Sequence, residues 1–469
     1  MRPLITIVCL ALLVPLAAQA EPGPLPPAQD VELGRDLLRE LIEIDTTHTK
    51  GTSTAAHALE FRFLRAGFAR GDVTFLAPAA FPKSGNLVVR LRGKKTGPAV
   101  LFMGHLDVVA ANPEDWTVDP FKLTERDGWY YGRGTADMKD GDAALAAALL
   151  RLHNEGWQPD HDVIAIFTAD EEAGGDSNGP AFLIKEHRDL INASVAYNLD
   201  GGGGSLDHGR RTFYDIGTSE KTYVTYTLET TAPGGHGSLP GPDNPIYRLA
   251  QALSRLEAFH FPVMTTATTR AYFKARADLE PDEHSTDLRS VAAGGDSKAA
   301  ADRLSESVFL NAQLRTTCVA TLLSGGHAEN ALPQRAKATV QCRMMPGDDA
   351  GHVLETLKNV IDEPRITLTQ DAAPIVSPES VPVAAVVNRV ASVVHSMWPG
   401  VALVPSMATG FSDDRQTRNA GIPSYDVGGL WMESGENRAH GRDERIGVRE
   451  FDESVEYVYR LVREMGMTR

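Results

Sequence analysis

Residues 162–175 read DVIAIFTADEEAGG. Val163–Phe167 is a short, unbroken apolar run, the length of a strand and too short for most helices, so it reads as a buried strand. Three acids in a row follow it, Asp170, Glu171 and Glu172, and then glycines. Adjacent carboxylates repel one another. At the mouth of a sheet they are tolerable only if solvated or if something cationic lies between them.

Around this stretch, strands and helices alternate. GNLVVRLRG, AVLFMGHLD and SVAYNLDGGGG read as strands, Ala143–Leu152 as an alanine-rich helix, and the segment 31–70 as mostly helical. That alternation predicts an α/β fold: a mixed, largely parallel sheet flanked by helices. In such sheets ligands bind beyond the carboxyl ends of the strands. Near Gly217 the pattern changes to the period-two alternation of KTYVTYTLET, followed by a helix over 244–259 and the strands TTCVATLLSG and AKATVQCRMMPG. Residues 217–344 therefore read as an inserted α+β domain, and residues 21–216 and 345–469 as the two halves of the main domain. Within the insertion, SVAAGGDSKAAADRLSES is small and polar and reads as a surface excursion.

The bulk properties exclude several function classes. The chain has 469 residues, 42% hydrophobic and 23% charged, and a formal net charge of -16, which disfavours nucleic acid or an anionic membrane as partner. The first residues, MRPLITIVCLALLVPLAAQAEPG, combine Arg2, a short apolar run and Ala18-Gln19-Ala20. They read as a cleavable secretory signal over residues 1–20, which places the mature protein outside the cytoplasm, in the periplasm. Val8 before Cys9 argues against a lipid anchor. Cys318 and Cys342 then remain, either paired across neighbouring strands or as two buried thiols; neither has CxxC spacing.

Acids and histidines gather where strands end. His105 and Asp107 lie two apart in MGHLDVV, Asp137 lies in GRGTADMKDG, Glu171 and Glu172 follow, then Asp200 in NLDGGGG and His440 in AHGRDE. Singly, each has a plain structural explanation. Together, two histidines and three carboxylates suit two divalent zinc ions that share one carboxylate. Such cations would make the adjacent acids tolerable.

GHLDVV, GRGTADMKDG, TADEEAGG, NLDGGGG, GGHGS, NALPQRAKATVQCRMMPG and AHGRDE, in that order, resemble the di-zinc exopeptidase family of aminoacylase, carboxypeptidase S, bacterial glutamate carboxypeptidase and succinyl-diaminopimelate desuccinylase. The resemblance runs from about residue 35 to the C-terminus. It implies that His105 and Asp200 hold one zinc, that Glu172 and His440 hold the other, and that Asp137 bridges them, with Asp107 orienting His105 and Glu171 as general base. Cobalt or manganese could occupy the same sites. It further implies that His236 in APGGHGSLP steadies the oxyanion, often from the partner subunit of a dimer formed through the inserted domain, and that Asn330 and Arg343 grip the substrate's carboxylate or carbonyl. Plainer roles stay open for these three: a polar turn for His236 and Asn330, a hinge salt bridge for Arg343. Phe411-Ser412-Asp413 departs from the family's commonest form of its substrate-end loop, which leaves substrate choice open.

The function this implies is a secreted zinc-dependent metallopeptidase that cleaves short peptides next to a free terminus, as a carboxypeptidase or dipeptidase. An N-acyl-amino-acid amidohydrolase is the alternative. An inactive binding module on the same fold would have lost a ligand or the base, and every one of these residues is present.

Overall fold

The computed structural model describes residues 22–280, 282–294, 298–381, 383–433 and 435–468. The expected signal segment lies outside them. No helix among the described residues is long and apolar enough to cross a membrane.

The main sheet runs in the order Val73–Leu76, Asn86–Leu91, Val163–Thr168, Ala99–His105, Ala193–Asn198, Ser424–Asp426, Arg210–Glu220, Gly203–Asp207, Trp431–Glu433, with Ala402–Ala408 also paired to Arg210–Glu220. Its centre is parallel: Ala99–His105 lies between Val163–Thr168 and Ala193–Asn198, and Ser424–Asp426 continues the run. Antiparallel pairs close the Val73–Leu76 side.

Every residue of Val163–Thr168 is buried. Alternate side chains divide between two cores. Val163, Ala165 and Phe167 join the cluster containing Leu145, Leu149, Val458 and Leu461. Ile164 and Ile166 join Phe182, Leu183 and Ile422 on the opposite face. An unbroken apolar run is what a strand covered by helices on both faces requires. The helices Ala28–Glu43, Ser53–Arg65, Lys139–Asn154, Ala384–Met397 and Val448–Met465 lie on the larger core, and Gly179–Glu186 lies on the other face.

A second, antiparallel sheet runs Thr317–Gly325, Arg335–Met344, Thr222–Thr231, Thr367–Gln370. The helices Pro245–Ala258 and Ala350–Ile361 supply Leu249, Leu256, Val353 and Leu357 to its core beside Val224, Leu228 and Val340. This layer therefore continues to Gln370, beyond the boundary at 344, because the apolar face of Ala350–Ile361 is buried against this sheet rather than the main one.

The described residues of the stretch expected to be a surface excursion lie mostly in the helices Asp282–Ala292 and Lys298–Leu304 and carry a core. Val291, Ala300, Ala301 and Leu304 pack with Tyr272, Phe273 and Leu314 and with Phe213 and Val404 of the main sheet. Its small residues allow close helix packing. Cys318 and Cys342 face each other across neighbouring strands and form a disulfide.

Candidate metal centre

Parallel register brings the strand ends to one level. His105 is the last residue of its strand and pairs with Thr168, and Met103 pairs with Asn198. The segments that follow Thr168 and Asn198 carry Asp170–Glu172 and Asp200 to the same edge. Gly104 allows the approach of the helix Lys139–Asn154 at this point, since a Cβ there would lie 2.5 Å from Asp142 Oδ1. Asp137 sits in the turn before that helix, and the Asp137–Met138 peptide is cis. His440 enters from a loop near the C-terminus, with φ of 65°.

His105 Nε2 lies 3.2 Å from Asp137 Oδ1 and 3.6 Å from Asp200 Oδ1. His440 Nε2 lies 3.0 Å from both Asp137 Oδ2 and Glu172 Oε1. Asp137 thus touches both histidines, one through each oxygen. Two groups able to hold a metal result, His105–Asp137–Asp200 and Asp137–Glu172–His440, with the ligand atoms of each within 4.8 Å of one another. A third grouping joins His105, Glu171 and Glu172. Two imidazoles with clustered carboxylates are a donor set for divalent zinc, cobalt or manganese, so the residues fit the expected ions.

The three consecutive acids have three different surroundings. Asp170, at φ 54°, accepts from Ser84 Oγ and lies 2.9 Å from His48 Nδ1. Glu172 faces His440. Glu171 is 5% exposed, and its buried Oε1 has no hydrogen-bond partner among the described residues.

Asp107 differs from expectation. It lies past the end of its strand, and the Nδ1 of His105 meets its main-chain carbonyl at 3.0 Å, whereas the carboxylate stands 3.7 Å away. That carboxylate instead accepts the backbone N–H groups of Glu171 and Glu172, each at 3.1 Å. The turn that follows the strand folds back over Asp107, so its side chain holds the glutamate pair while its backbone holds the histidine.

The electrostatics follow burial and crowding. Burial pushes the Glu171 carboxyl well above its usual range, with His105 opposing. Burial likewise raises Asp107 to about 7. For Asp137 burial works the same way, but hydrogen bonds from His105 and His440 outweigh it and hold the carboxyl low. Hydrogen bonds to Asp137 and Glu172 raise His440 to about 10. For His105 burial opposes protonation, yet the charge of Asp200 and the hydrogen bond of Asp137 hold its pKa well above normal.

Arg343, on the second sheet, lies over the rings of Tyr223 and Phe411, 4.8 and 5.4 Å from their centroids. Its Nη1 is buried with no hydrogen-bond partner, and Glu171 is among the charges acting on it. No carboxylate among the described residues forms an ion pair with it, so the hinge salt bridge is not what it makes. His236 and Asn330 are not brought to the cluster. His236 is exposed and pairs in a short ribbon with Ala331, and its ring meets Ser238 Oγ at 2.7 Å, while the Asn330 carbonyl accepts from the N–H of Gly237.

Sequence reading missed two supports. Glu444 Oε1 accepts the N–H groups of Gly134, Ala136 and Asp137 at 3.1, 2.7 and 3.2 Å, and its Oε2 pairs with Arg133. One carboxylate therefore joins the Asp137 turn to the His440 loop. Its place within AHGRDE was the available signal. Asp413, wholly enclosed, accepts from Asn178 Nδ2 at 2.7 Å and Thr168 Oγ at 3.0 Å.

Residues 101–464 match the sequence profile of peptidase family M20/M25/M40. The chain belongs to this family. As an M20 protein it is a hydrolase with a fold shared by the family's metallopeptidases. The human N-fatty-acyl-amino acid synthase/hydrolase PM20D1 is 29% identical over 373 residues, 77% of this chain and 73% of its own. A Dictyostelium discoideum protein named "Probable carboxypeptidase S-like 2" is 28% identical over 385 residues, 78% of this chain and 71% of its own. In three dimensions the M20 metallo-carboxypeptidase Sso-CP2 of Sulfolobus solfataricus superposes with a TM-score of 0.68 at 18% identity, covering 92% of this chain and 99% of that one. That likeness speaks for the fold alone.

Proposed function

We propose that this M20 protein is a secreted, zinc-dependent exopeptidase that hydrolyses the amide bond of short peptides next to a free terminus. The observation that carries the reading is the pair of ligand groups meeting at Asp137, with the unpartnered Glu171 oxygen beside them. His105 and Asp200 would hold one ion, Glu172 and His440 the other, and Asp137 both. When bound, the two ions supply Lewis-acid polarisation of the scissile carbonyl and activation of water. Glu171 would take a proton at Oε1 and return it to the leaving amine. Arg343 binds the substrate carboxylate through its planar fork, and the unsatisfied Nη1 supports that role.

A dimer through the inserted domain belongs to the same proposal. Thr317–Gly325 is an edge strand whose Val319, Leu322 and Leu323 are 57, 68 and 70% exposed. An exposed apolar edge of this kind favours strand-to-strand association. His236 and Asn330 would then act on the partner's site, His236 steadying the oxyanion and Asn330 the substrate.

An N-acyl-amino-acid amidohydrolase is the second reading, favoured by the likeness to PM20D1. Arg343 serves either substrate, since both present a carboxylate. The test is hydrolysis of unblocked dipeptides, N-blocked dipeptides and N-acyl amino acids by the full chain, before and after chelation and zinc return. Chelator-sensitive turnover restored by zinc is expected, and the preferred member selects between the readings. Turnover indifferent to chelation sinks both.

A further inference from the structure

A general base has to keep a lone pair free, so the carboxylate proposed for that role, Glu171, cannot be fixed in place by its own hydrogen bonds. Its buried Oε1 has no partner among the described residues. The backbone around it is held instead. Asn86, wholly buried, accepts the Ala169 N–H at 3.0 Å through Oδ1. Asp107 accepts the N–H groups of Glu171 and Glu172. Between these anchors Asp170 stands at φ 54°, a left-handed conformation that is unfavourable for a residue with a side chain and persists where its surroundings hold it. Its carbonyl closes the turn by accepting the Gly174 N–H at 2.9 Å.

What holds Asp170 is its carboxylate, which is buried. Oδ2 accepts from Ser84 Oγ, and Oδ1 accepts from His48 Nδ1 at 2.9 Å. These partners come from two loops that are themselves pinned. Thr46 donates to the Leu106 carbonyl at 2.7 Å, next to the strand that ends at His105. The N–H groups of Thr52 and Ser53 donate to the Lys83 carbonyl, and the Asn86 side chain donates to the Ser84 carbonyl at 3.1 Å. We propose that Asp170 is a positioning residue: tied to Ser84 and His48, it fixes the turn that aims the Glu171 carboxylate at the cluster while leaving that carboxylate free of hydrogen bonds. The inference rests on the reading of Glu171 as the base. Hydrogen bonds to a carboxylate are stronger than neutral ones, which suits an aspartate to this task.

Two readouts test this. Hydrogen–deuterium exchange of the full chain, in peptides covering residues 169–179, reports the turn directly. The kcat and KM at saturating zinc, on the dipeptide or N-acyl amino acid that the chain cleaves best, report the base. Asp170→Gly tolerates the left-handed φ and removes the tether. The double variant Ser84→Ala, His48→Ala removes both partners and leaves Asp170 in place. Both should speed exchange in the turn at least about tenfold, the worth of a hydrogen bond to a charged group. Both should also lower kcat about 10–100-fold with KM little changed, because the base is misplaced rather than lost. Asp170→Asn keeps an acceptor for Ser84 and an amide for His48, and should stay within about threefold of the wild type in both readouts. His57→Ala, which removes an exposed pair with Glu60, should change neither. Wild-type exchange in both tether variants, Asp170→Asn as impaired as Asp170→Gly, or unchanged kcat in the tether variants while Glu171→Gln is inactive overturns the proposal. Glu171→Gln as active as the wild type overturns instead the reading of the base on which it rests.

Discussion

Removal of Glu444 tests the account of how the site is held. Glu444 is 0% and its partner Arg133 2% exposed. Beyond Glu444, Arg133 donates to the Gly441 carbonyl at 2.9 Å, one residue from His440. Burial raises the Glu444 carboxyl to about 7, against the pull of the Ala136 N–H and of Arg133. Its folded pKa thus lies above that of an unfolded glutamate, and the associated stability is present at low pH and lost as pH rises through about 7. At pH 8 the pair is ionised and can be measured as such. Glu444→Ala strands a buried guanidinium, which costs about 3–5 kcal/mol. The three freed N–H groups would add about 1–3 kcal/mol each if left dry; water entering the vacated space offsets most of this, so we expect about 4 kcal/mol. Glu444→Met with Arg133→Met should cost about 2 kcal/mol, because no unpaired charge remains. The assay is urea denaturation at pH 8, with zinc affinity measured by chelator competition. Because the Asp137 turn loses its anchor, zinc should bind about 10–100-fold more weakly in Glu444→Ala. A loss of stability below 1 kcal/mol, or a double variant less stable than Glu444→Ala, would refute the reasoning.

Glu171→Gln should retain metal and lose about 10²–10⁴-fold in turnover, whereas His105→Ala should lose metal too; equal metal loss in both, read by elemental analysis, rejects the division of roles. Arg343→Met should raise KM about 10–100-fold, the worth of a charge-assisted pair, with a smaller change in kcat. Reduction of Cys318–Cys342, which closes a loop of sequence separation 24, should destabilise the second sheet by about 3 kcal/mol, read as a fall in its urea midpoint. Lys221, 1% exposed, is lowered to about 7 by burial and by the charge of Arg343. A base with a depressed folded pKa is penalised while its unfolded form binds the proton, so stability should rise by about 2–3 kcal/mol from pH 7 to pH 9, and Lys221→Met should remove that slope.

Much of the architecture is legible in local pattern. The unbroken run Val163–Phe167 announced a buried strand, and its alternate side chains enter two different cores. The ligand candidates were legible for a related reason: acids and histidines at the ends of apolar strands have no ordinary place there. The helix Ala350–Ile361 was not assigned to its sheet, because an amphipathic stripe says that a face is buried but not against what. The helices around Val291 and Leu304 were missed because small residues mark close packing and solvated loops alike.

By itself, then, the sequence determined the buried strand, the strand-end positions of the histidines and acids, and an excess of carboxylate that cations would balance. What surrounds each acid was decided only by the tertiary structure. Asp170, Glu171 and Glu172 are chemically near-identical neighbours, and they part company because the chain brings Ser84 to the first, leaves the second unpartnered, and brings His440 from 268 residues away to the third. Asp107 likewise holds the glutamate turn, and not its neighbouring imidazole, with its carboxylate. Such assignments depend on contacts between residues far apart in the chain. Local propensity and periodicity carry no information about those contacts; the packing of the folded sheet does.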